Sequence, residues 1–367
     1  MKRFLSCLII FALFFCNLKI NALSINAKAA VLIDALSGEV IYSLNENEKL
    51  SMASTTKIMT ALILCEQETL EKEITVTKEM VMVEGTSMGL SVGTKVSLNA
   101  LLYGMLLASG NDAANATAIA IGGNIPSFVT LMNKKAEELG LKNTHFDTPS
   151  GLDGENHYTT ALELALLTRY ALNNERFSAA TRTKSITLEF CGMNRTLYNH
   201  NKLLSTFDGA VGVKTGFTKK SGRCLVSAAE RDGGRVVAVT LNDPDDWNDH
   251  TELLNFGLAQ ISEEKQTFPE KIYEIKVSGG KESVVTANST PVSFRTYKEK
   301  VIKKEYIMPF VSAPVKKGEE IGYIEYYCGN LMCAKEILRA ENDVLANESA
   351  TKFKLIILNF KRMFKLI

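Results

Sequence analysis

Apolar stretches of two lengths alternate along this chain. Residues 28–34 and Glu39 to Leu44 are short apolar runs on either side of Leu36-Ser37-Gly38, a spacing that predicts a β-hairpin. From Ser54 the sequence Ser-Thr-Thr-Lys-Ile-Met-Thr-Ala-Leu-Ile-Leu predicts a buried helix that starts near Ser54. Leu98 to Ala108, Ile125 to Leu139 and Thr160 to Leu172 predict three more helices. Pro126 falls in the first turn of the Ile125 helix, where a missing N–H costs nothing. Arg223 to Ala229 and Arg235 to Leu241 predict strands joined by the tight turn Arg231-Asp232-Gly233-Gly234. His250 to Ile261 predicts a helix that packs on that sheet and closes the region.

Near residue 264 the texture changes. Glu263-Glu264-Lys265-Gln266 is a polar break. Short alternating stretches follow: Tyr273 to Val277, Glu282 to Ala287, Val292 to Tyr297, Ile302 to Met308 and Gly322 to Tyr327. Gly, Pro, Asn and Lys separate them, which predicts a small all-β module. No internal repeat or low-complexity tract is evident.

The two ends read differently from the body. Lys2 and Arg3 precede an apolar run from Phe4 to Phe15, and Asn21-Ala22 offers a small-residue cleavage site. That is a secretory signal, residues 1–22, and its apolar run is short for a span of ~20 residues. Phe15 is too large to precede a lipidated Cys16. At the other end Phe353, Ile356, Ile357, Phe360, Phe364 and Ile367 recur at helical spacing. Lys352, Lys354, Lys361, Arg362 and Lys365 lie off that stripe, whereas Leu355, Leu358 and Leu366 fall on the polar side. Residues 346–367 therefore predict an amphipathic helix lying in the interface of an anionic bilayer, the bland alternative being a terminal helix docked on the β-module.

Composition narrows the class. The 367 residues are 46% hydrophobic and 23% charged, enough to bury a substantial core. Lys plus Arg is 42 against 41 for Asp plus Glu, and a net charge of +1 gives no reason to expect a nucleic-acid partner. Beyond Cys7 and Cys16 in the leader, the cysteines are Cys65, Cys191, Cys224, Cys328 and Cys333. Their spacings match neither a disulfide framework nor a zinc site, so they read as small apolar residues, although Cys328 and Cys333 are near enough in sequence to pair.

Three short patterns carry the chemistry. In Ser54-Thr55-Thr56-Lys57, the serine and lysine share one helix face. A serine hydroxyl is a poor nucleophile until a base takes its proton, and an amine held neutral by burial can be that base. A helix N-terminus behind Ser54 also favours a developing oxyanion. Alone the pattern equally describes a helix cap followed by a solvated lysine. Ser109-Gly110-Asn111 follows an apolar helix and can bring a hydroxyl and an amide into a cleft, or can be a glycine C-cap. Lys214-Thr215-Gly216, then Phe217-Thr218, offers a cation, a hydroxyl and a strand edge that a substrate backbone can approach, or a strand ending in a turn.

Taken in order, Ser-x-x-Lys, Ser-x-Asn and Lys-Thr-Gly resemble the signature of penicillin-binding proteins and serine β-lactamases. The resemblance spans roughly residues 23–262. Ala53 to Ala61, Ala108 to Ala114, Ser150-Gly151-Leu152, His157 to Ala161 and Asp208 to Thr218 are similar to the low-molecular-mass D-alanyl-D-alanine carboxypeptidases. The resemblance implies an α+β fold: a β-lactamase/transpeptidase-like catalytic domain of helices around a mainly antiparallel sheet (23–263), then a β-rich domain (264–345). It also implies roles. Ser54 attacks the carbonyl between two terminal D-alanines and Lys57 accepts its proton. Ser109 relays a proton to the leaving amine, and Asn111 orients the substrate amide. Lys214 and Thr215 bind the terminal carboxylate or tune Ser109. Gly216 and Thr218 complete the substrate strand, and the N–H groups of Ser54 and Phe217 form the oxyanion hole. The implied partners are peptidoglycan stem peptides ending in D-Ala-D-Ala and β-lactams, with no cofactor and no metal; the tail adds a membrane surface, expected to be the outer face of the cytoplasmic membrane.

Two rivals are weighed on residues. A class A β-lactamase uses a glutamate in a Glu-x-x-x-Asn loop between the second and third motifs. Here Glu155, Glu163, Glu175 and Glu189 are followed four positions later by Thr159, Leu167, Ala179 and Met193, and Gly110 stands where those enzymes usually carry aspartate. A catalytically dead peptidoglycan-binding module is opposed by the presence of Ser54, Lys57, Ser109, Asn111 and Lys214. His145 and His157, with Asp147 and Asp153 between them, lack a helical metal-ligand spacing, and His157 reads as a brace near the active site.

Overall fold

The computed structural model describes residues 23–261, 265–329 and 331–347. The leader and all but two residues of the basic tail lie outside the described residues, as do Glu263 and Glu264 of the polar break.

Strands β1 (Ala29–Asp34) and β2 (Val40–Leu44) form the expected hairpin, with Gly38 at φ 83° in its turn. Further along come β3 (Ala210–Thr218), β4 (Gly222–Arg231) and β5 (Gly234–Leu241). They complete a five-stranded sheet in the order β2-β1-β5-β4-β3, antiparallel throughout. The β4–β5 turn sets Asp232 at φ 50° and Gly233 at φ 84°, the paired left-handed residues that a two-residue hairpin favours.

Every residue of β1 is buried, because the sheet is covered on both faces. Leu32, Val236 and Ala238 pack on α7 (Asp246–Gln260) through Leu253, Leu254 and Leu258. Val31, Ile33, Val237 and Val239, one position out of phase, face the main helical layer. That layer holds α1 (Lys57–Cys65), α2 (Leu98–Leu106), α3 (Asn111–Gly122), α4 (Ile125–Glu138), α5 (Ala161–Ala171) and α6 (Glu175–Arg182). Helix α1 is buried on all sides, and each of its large apolar side chains contributes about 1.5–3 kcal/mol of burial.

Caps explain the helix starts. Ser97, Asn124 and Thr160 each accept a first-turn N–H at the heads of α2, α4 and α5. Some elements differ from expectation, among them helix α6 and a hairpin of Ser185–Phe190 with Met193–Tyr198, neither of which was expected. A 3₁₀ turn, Ala53–Thr56, precedes α1, so the helix proper opens at Lys57. Helix α7 starts at Asp246, a turn before His250. Helix α3 was not expected, because its first eight residues are all buried and leave no periodic stripe to read.

The C-terminal region is all β, as expected. Its strands are β6 (Lys265–Phe268), β7 (Lys271–Ser278), β8 (Val284–Ser289), β9 (Val292–Arg295), β10 (Val301–Ile307), β11 (Phe310–Ser312), β12 (Glu320–Cys328) and β13 (Leu331–Arg339). They pair as β6-β9, β8-β7-β11 and β10-β12-β13 around a separate core that includes Ile275, Val285, Ile324 and Leu338. Strands β6, β11 and β13 had no clear alternation in the sequence. This region touches the five-stranded sheet at its β1–β2 turn. There the buried Asp34 carboxylate accepts from Tyr297 N at 2.8 Å and Ser37 Oγ at 2.6 Å. Cys65, Cys191, Cys224, Cys328 and Cys333 are free thiols.

Candidate active site

The 3₁₀ turn puts Ser54 one step ahead of α1 and Lys57 at its first residue, fully buried. Lys57 Nζ lies 2.9 Å from Ser54 Oγ, 2.7 Å from Asn111 Oδ1 and 2.6 Å from the Ser150 carbonyl. Those three neighbours fix the amine's orientation. Two of them are carbonyl oxygens, which only accept, so a neutral amine spends both N–H groups on them. Its lone pair is then left facing the Ser54 hydroxyl. Burial, and secondarily the charge of Lys214, hold Lys57 well below the ordinary lysine pKa, against an opposing pull from Asp112. A neutral amine aimed at a serine hydroxyl is a general base in position.

Ser109 occupies the link between α2 and α3 at φ 58°, a strained region for a residue with a Cβ. Its Oγ receives Lys214 Nζ at 3.0 Å, and Lys214 also donates to Thr215 O at 2.8 Å. Lys214 is buried, and burial pushes its pKa down to about 7. Asn111 opens α3 with both ends of its amide in use. Oδ1 meets Lys57, and Nδ2 donates to Glu84 O at 2.7 Å.

Strand β3 is an edge strand, so its outer backbone groups are open to a substrate. At Gly216 it runs so close to the 3₁₀ turn that a Cβ would stand 3.0 Å from Ser54 N. Glycine there is what lets the strand lie beside the serine. Gly151 (φ 87°) serves the other side: its Cβ would fall 1.9 Å from Ala53 O, and the preceding carbonyl, of Ser150, is the one that holds Lys57. Thr218 Oγ1 is 3.1 Å from Asp153 Oδ1 and 3.0 Å from Ser221 Oγ.

These elements enclose a cleft of about 580 Å³. Of the nine residues nominated from sequence, Ser54, Ser109, Asn111, Thr215, Gly216, Phe217 and Thr218 line it. Lys57 and Lys214 lie beneath its floor, bonded to the two serines. Phe217 is largely exposed on the rim.

His157 braces the turn from below. Asp147 N–H donates to its Nδ1 at 2.9 Å, which leaves the proton on Nε2 for Thr56 Oγ1 at 2.7 Å. Burial lowers its pKa to about 4, so it is the neutral ring that does this. Sequence reasoning missed the Ser150 carbonyl, the rim residues Gly85 and Thr86, and the Arg223–Asp246 ion pair (2.6 Å) on the opposite wall. Backbone carbonyls leave no residue-type signal. The ion pair joins β4 to α7, 23 positions apart in sequence.

The chain is similar to known proteins along both of its regions. Residues 17–245 match the family model for D-alanyl-D-alanine carboxypeptidase, and residues 262–346 match that for the penicillin-binding protein 5 C-terminal domain. The D-alanyl-D-alanine carboxypeptidase DacF of Bacillus subtilis is 34% identical over 345 residues, 88% of this chain and 87% of that protein. Two solved structures are similar over most of their length. The D-alanyl-D-alanine carboxypeptidase DacD of Francisella tularensis gives 26% identity and a TM-score of 0.62, covering 88% of this chain and 95% of that one. Penicillin binding protein 5 of Haemophilus influenzae gives 28% and 0.60, covering 88% and 98%.

Proposed function

The chain belongs to the D-alanyl-D-alanine carboxypeptidase family, S11, and from that premise we propose that it removes the terminal D-alanine from peptidoglycan pentapeptide stems through an acyl-enzyme on Ser54. The observation that carries this reading is the pair of buried lysines, each bonded to one cleft serine.

Lys57 takes the Ser54 proton as Oγ attacks the carbonyl between the two D-alanines. The oxyanion that forms is held by the N–H groups of Ser54 and Phe217, a device worth about 10²–10³ in rate per donor. Ser109, polarised by Lys214, gives its proton to the departing D-alanine amine and takes in exchange the one Lys57 removed from Ser54, which leaves Lys57 neutral again. Asn111 keeps Lys57 aimed and presents its remaining amide N–H to the substrate. Water then attacks the acyl-enzyme, with Lys57 again as base, and Ser54 is regenerated. A β-lactam enters by the same first step and stays on Ser54. No metal or cofactor takes part.

Lys214 is buried, which supports a role in tuning Ser109, with its charge also felt by a carboxylate at Thr215. Amidating the C-terminus of a pentapeptide should therefore cut kcat/KM by about 10- to 100-fold, the worth of one charge-assisted hydrogen bond. Equal rates on acid and amide would leave Lys214 a purely internal partner of Ser109.

The surrounding architecture follows the same proposal: signal peptide 1–22, catalytic domain 23–263, β-rich domain 264–345 and membrane-surface helix 346–367. This places the enzyme outside the cell, peripheral to the cytoplasmic membrane. Among the described residues no helix is long and apolar enough to cross a membrane. Ala346 bridges to Gly280 and Asn347 N donates to Gly279 O, so a clean truncation starts at residue 348. Deleting 348–367 should release active enzyme into the soluble fraction and abolish binding to anionic liposomes. Sedimentation of the truncated protein with membranes would refute the anchor.

A further inference from the structure

We infer that Asp112 is a positioning residue for catalysis: it clamps the rim segment 84–90 against α3, and that segment in turn holds Ser109 and Asn111 in their working geometry. The inference rests on the acyl-enzyme reading above.

The Asp112 carboxylate is 1% exposed and accepts five hydrogen bonds. Ser87 Oγ donates at 2.5 Å, Met88 N at 2.9 Å, Gly89 N at 3.1 Å and Leu90 N at 3.0 Å, and Ala113 N closes the set at 2.9 Å. Four of the five donors come from one irregular stretch with no strand or helix of its own. A buried carboxylate in a nest of successive N–H groups fixes that backbone firmly.

The clamped stretch then reaches into the site. Thr86 Oγ1 donates to Ser109 O at 2.5 Å, Asn111 N donates to Thr86 O at 2.7 Å, and Asn111 Nδ2 donates to Glu84 O at 2.7 Å. Ser109 sits in a left-handed conformation that persists only where its surroundings over-determine it. The bonds to Thr86 and Glu84 are part of that determination, and Gly85 and Thr86 themselves line the cleft. Gly110 accounts for the remaining tightness. A Cβ there would stand 2.7 Å from Asp112 Oδ1 and 2.9 Å from Met88 N. The middle position of Ser-x-Asn is therefore glycine because the clamp passes directly over it.

The test measures penicillin acylation by stopped flow, resolved into the binding constant and the limiting acylation rate, together with amide exchange at residues 87–90. In Asp112→Asn the limiting rate should fall by about 30- to 100-fold while the binding constant changes by less than about threefold. Exchange at Met88, Gly89 and Leu90 should rise at least tenfold, with β4 and β5 unchanged. A limiting rate within twofold of wild type, or unchanged exchange at 87–90, overturns the inference, as does a parallel loss in both kinetic terms. Should Asp112→Asn not fold, Thr86→Val decides. That variant removes only the Thr86–Ser109 bond and should lower the limiting rate about five- to tenfold, and an unaltered rate counts against the clamp. Failure of the acyl-enzyme reading is separate: it requires the wild-type protein itself not to label.

Discussion

Ser54→Ala is expected to abolish both D-alanine release and covalent labelling by fluorescent penicillin, with kcat/KM down by at least about 10⁴. The reason is geometric. Ser109 is the other serine of the cleft floor, and its Oγ is bonded to Lys214, which is charged over part of the neutral range. In that bond Lys214 is the donor, so it turns no lone pair toward Ser109 to take a proton for nucleophilic attack. Only Ser54 faces an amine whose N–H groups are both used elsewhere. Fold stability should barely change, because Ser54 lies on the cleft surface and the alanine leaves the 3₁₀ turn intact. Labelling of Ser54→Ala at the wild-type level would remove Ser54 from the nucleophile's role.

Lys57→Ala should cost nearly as much, about 10³-fold or more in acylation. Residues that act as a unit are grossly non-additive, so the Ser54→Ala/Lys57→Ala double variant should be no worse than Ser54→Ala alone. The pH dependence follows from the sign of the shift. Lys57 acts only when neutral, so kcat/KM should rise with pH as the amine loses its proton. Because burial and Lys214 lower its pKa, that rise should be complete well below the pKa of an ordinary lysine. Stability follows its own logic. A lysine whose folded pKa is lowered binds fewer protons folded than unfolded, so it detracts from stability below its folded pKa. That loss is recovered as pH climbs through the folded value toward the unfolded one. Lys214, lowered to about 7, should show this between about 7 and 10.5. A Lys57→Ala enzyme with wild-type acylation would mean that another group is the base.

Much of this was legible in the sequence because the informative residues are neighbours along the chain. Ser54 and Lys57 are a turn apart, Ser109 and Asn111 flank one glycine, and Lys214 to Thr218 is a single strand. Two hairpins were legible through their turns, Ser37-Gly38 and Asp232-Gly233, whereas the one joining Ser185–Phe190 to Met193–Tyr198 was not read. Other features had no such local trace. Helix α3 is buried all round at its start, so its amphipathic period is absent. The two carbonyls that aim Lys57 and Asn111, from Ser150 and Glu84, belong to loops and depend on backbone course rather than side-chain type. Asp112 is one residue past a motif, yet four of its five partners are more than twenty positions upstream.

The most direct test is mass spectrometry of a synthetic pentapeptide stem ending in D-Ala-D-Ala after incubation with the purified protein, run beside Ser54→Ala. The account predicts loss of one alanine to give the tetrapeptide and free D-alanine with the wild type, and intact pentapeptide with the variant. Intact pentapeptide from a folded wild-type protein, or equal release by both proteins, would contradict it.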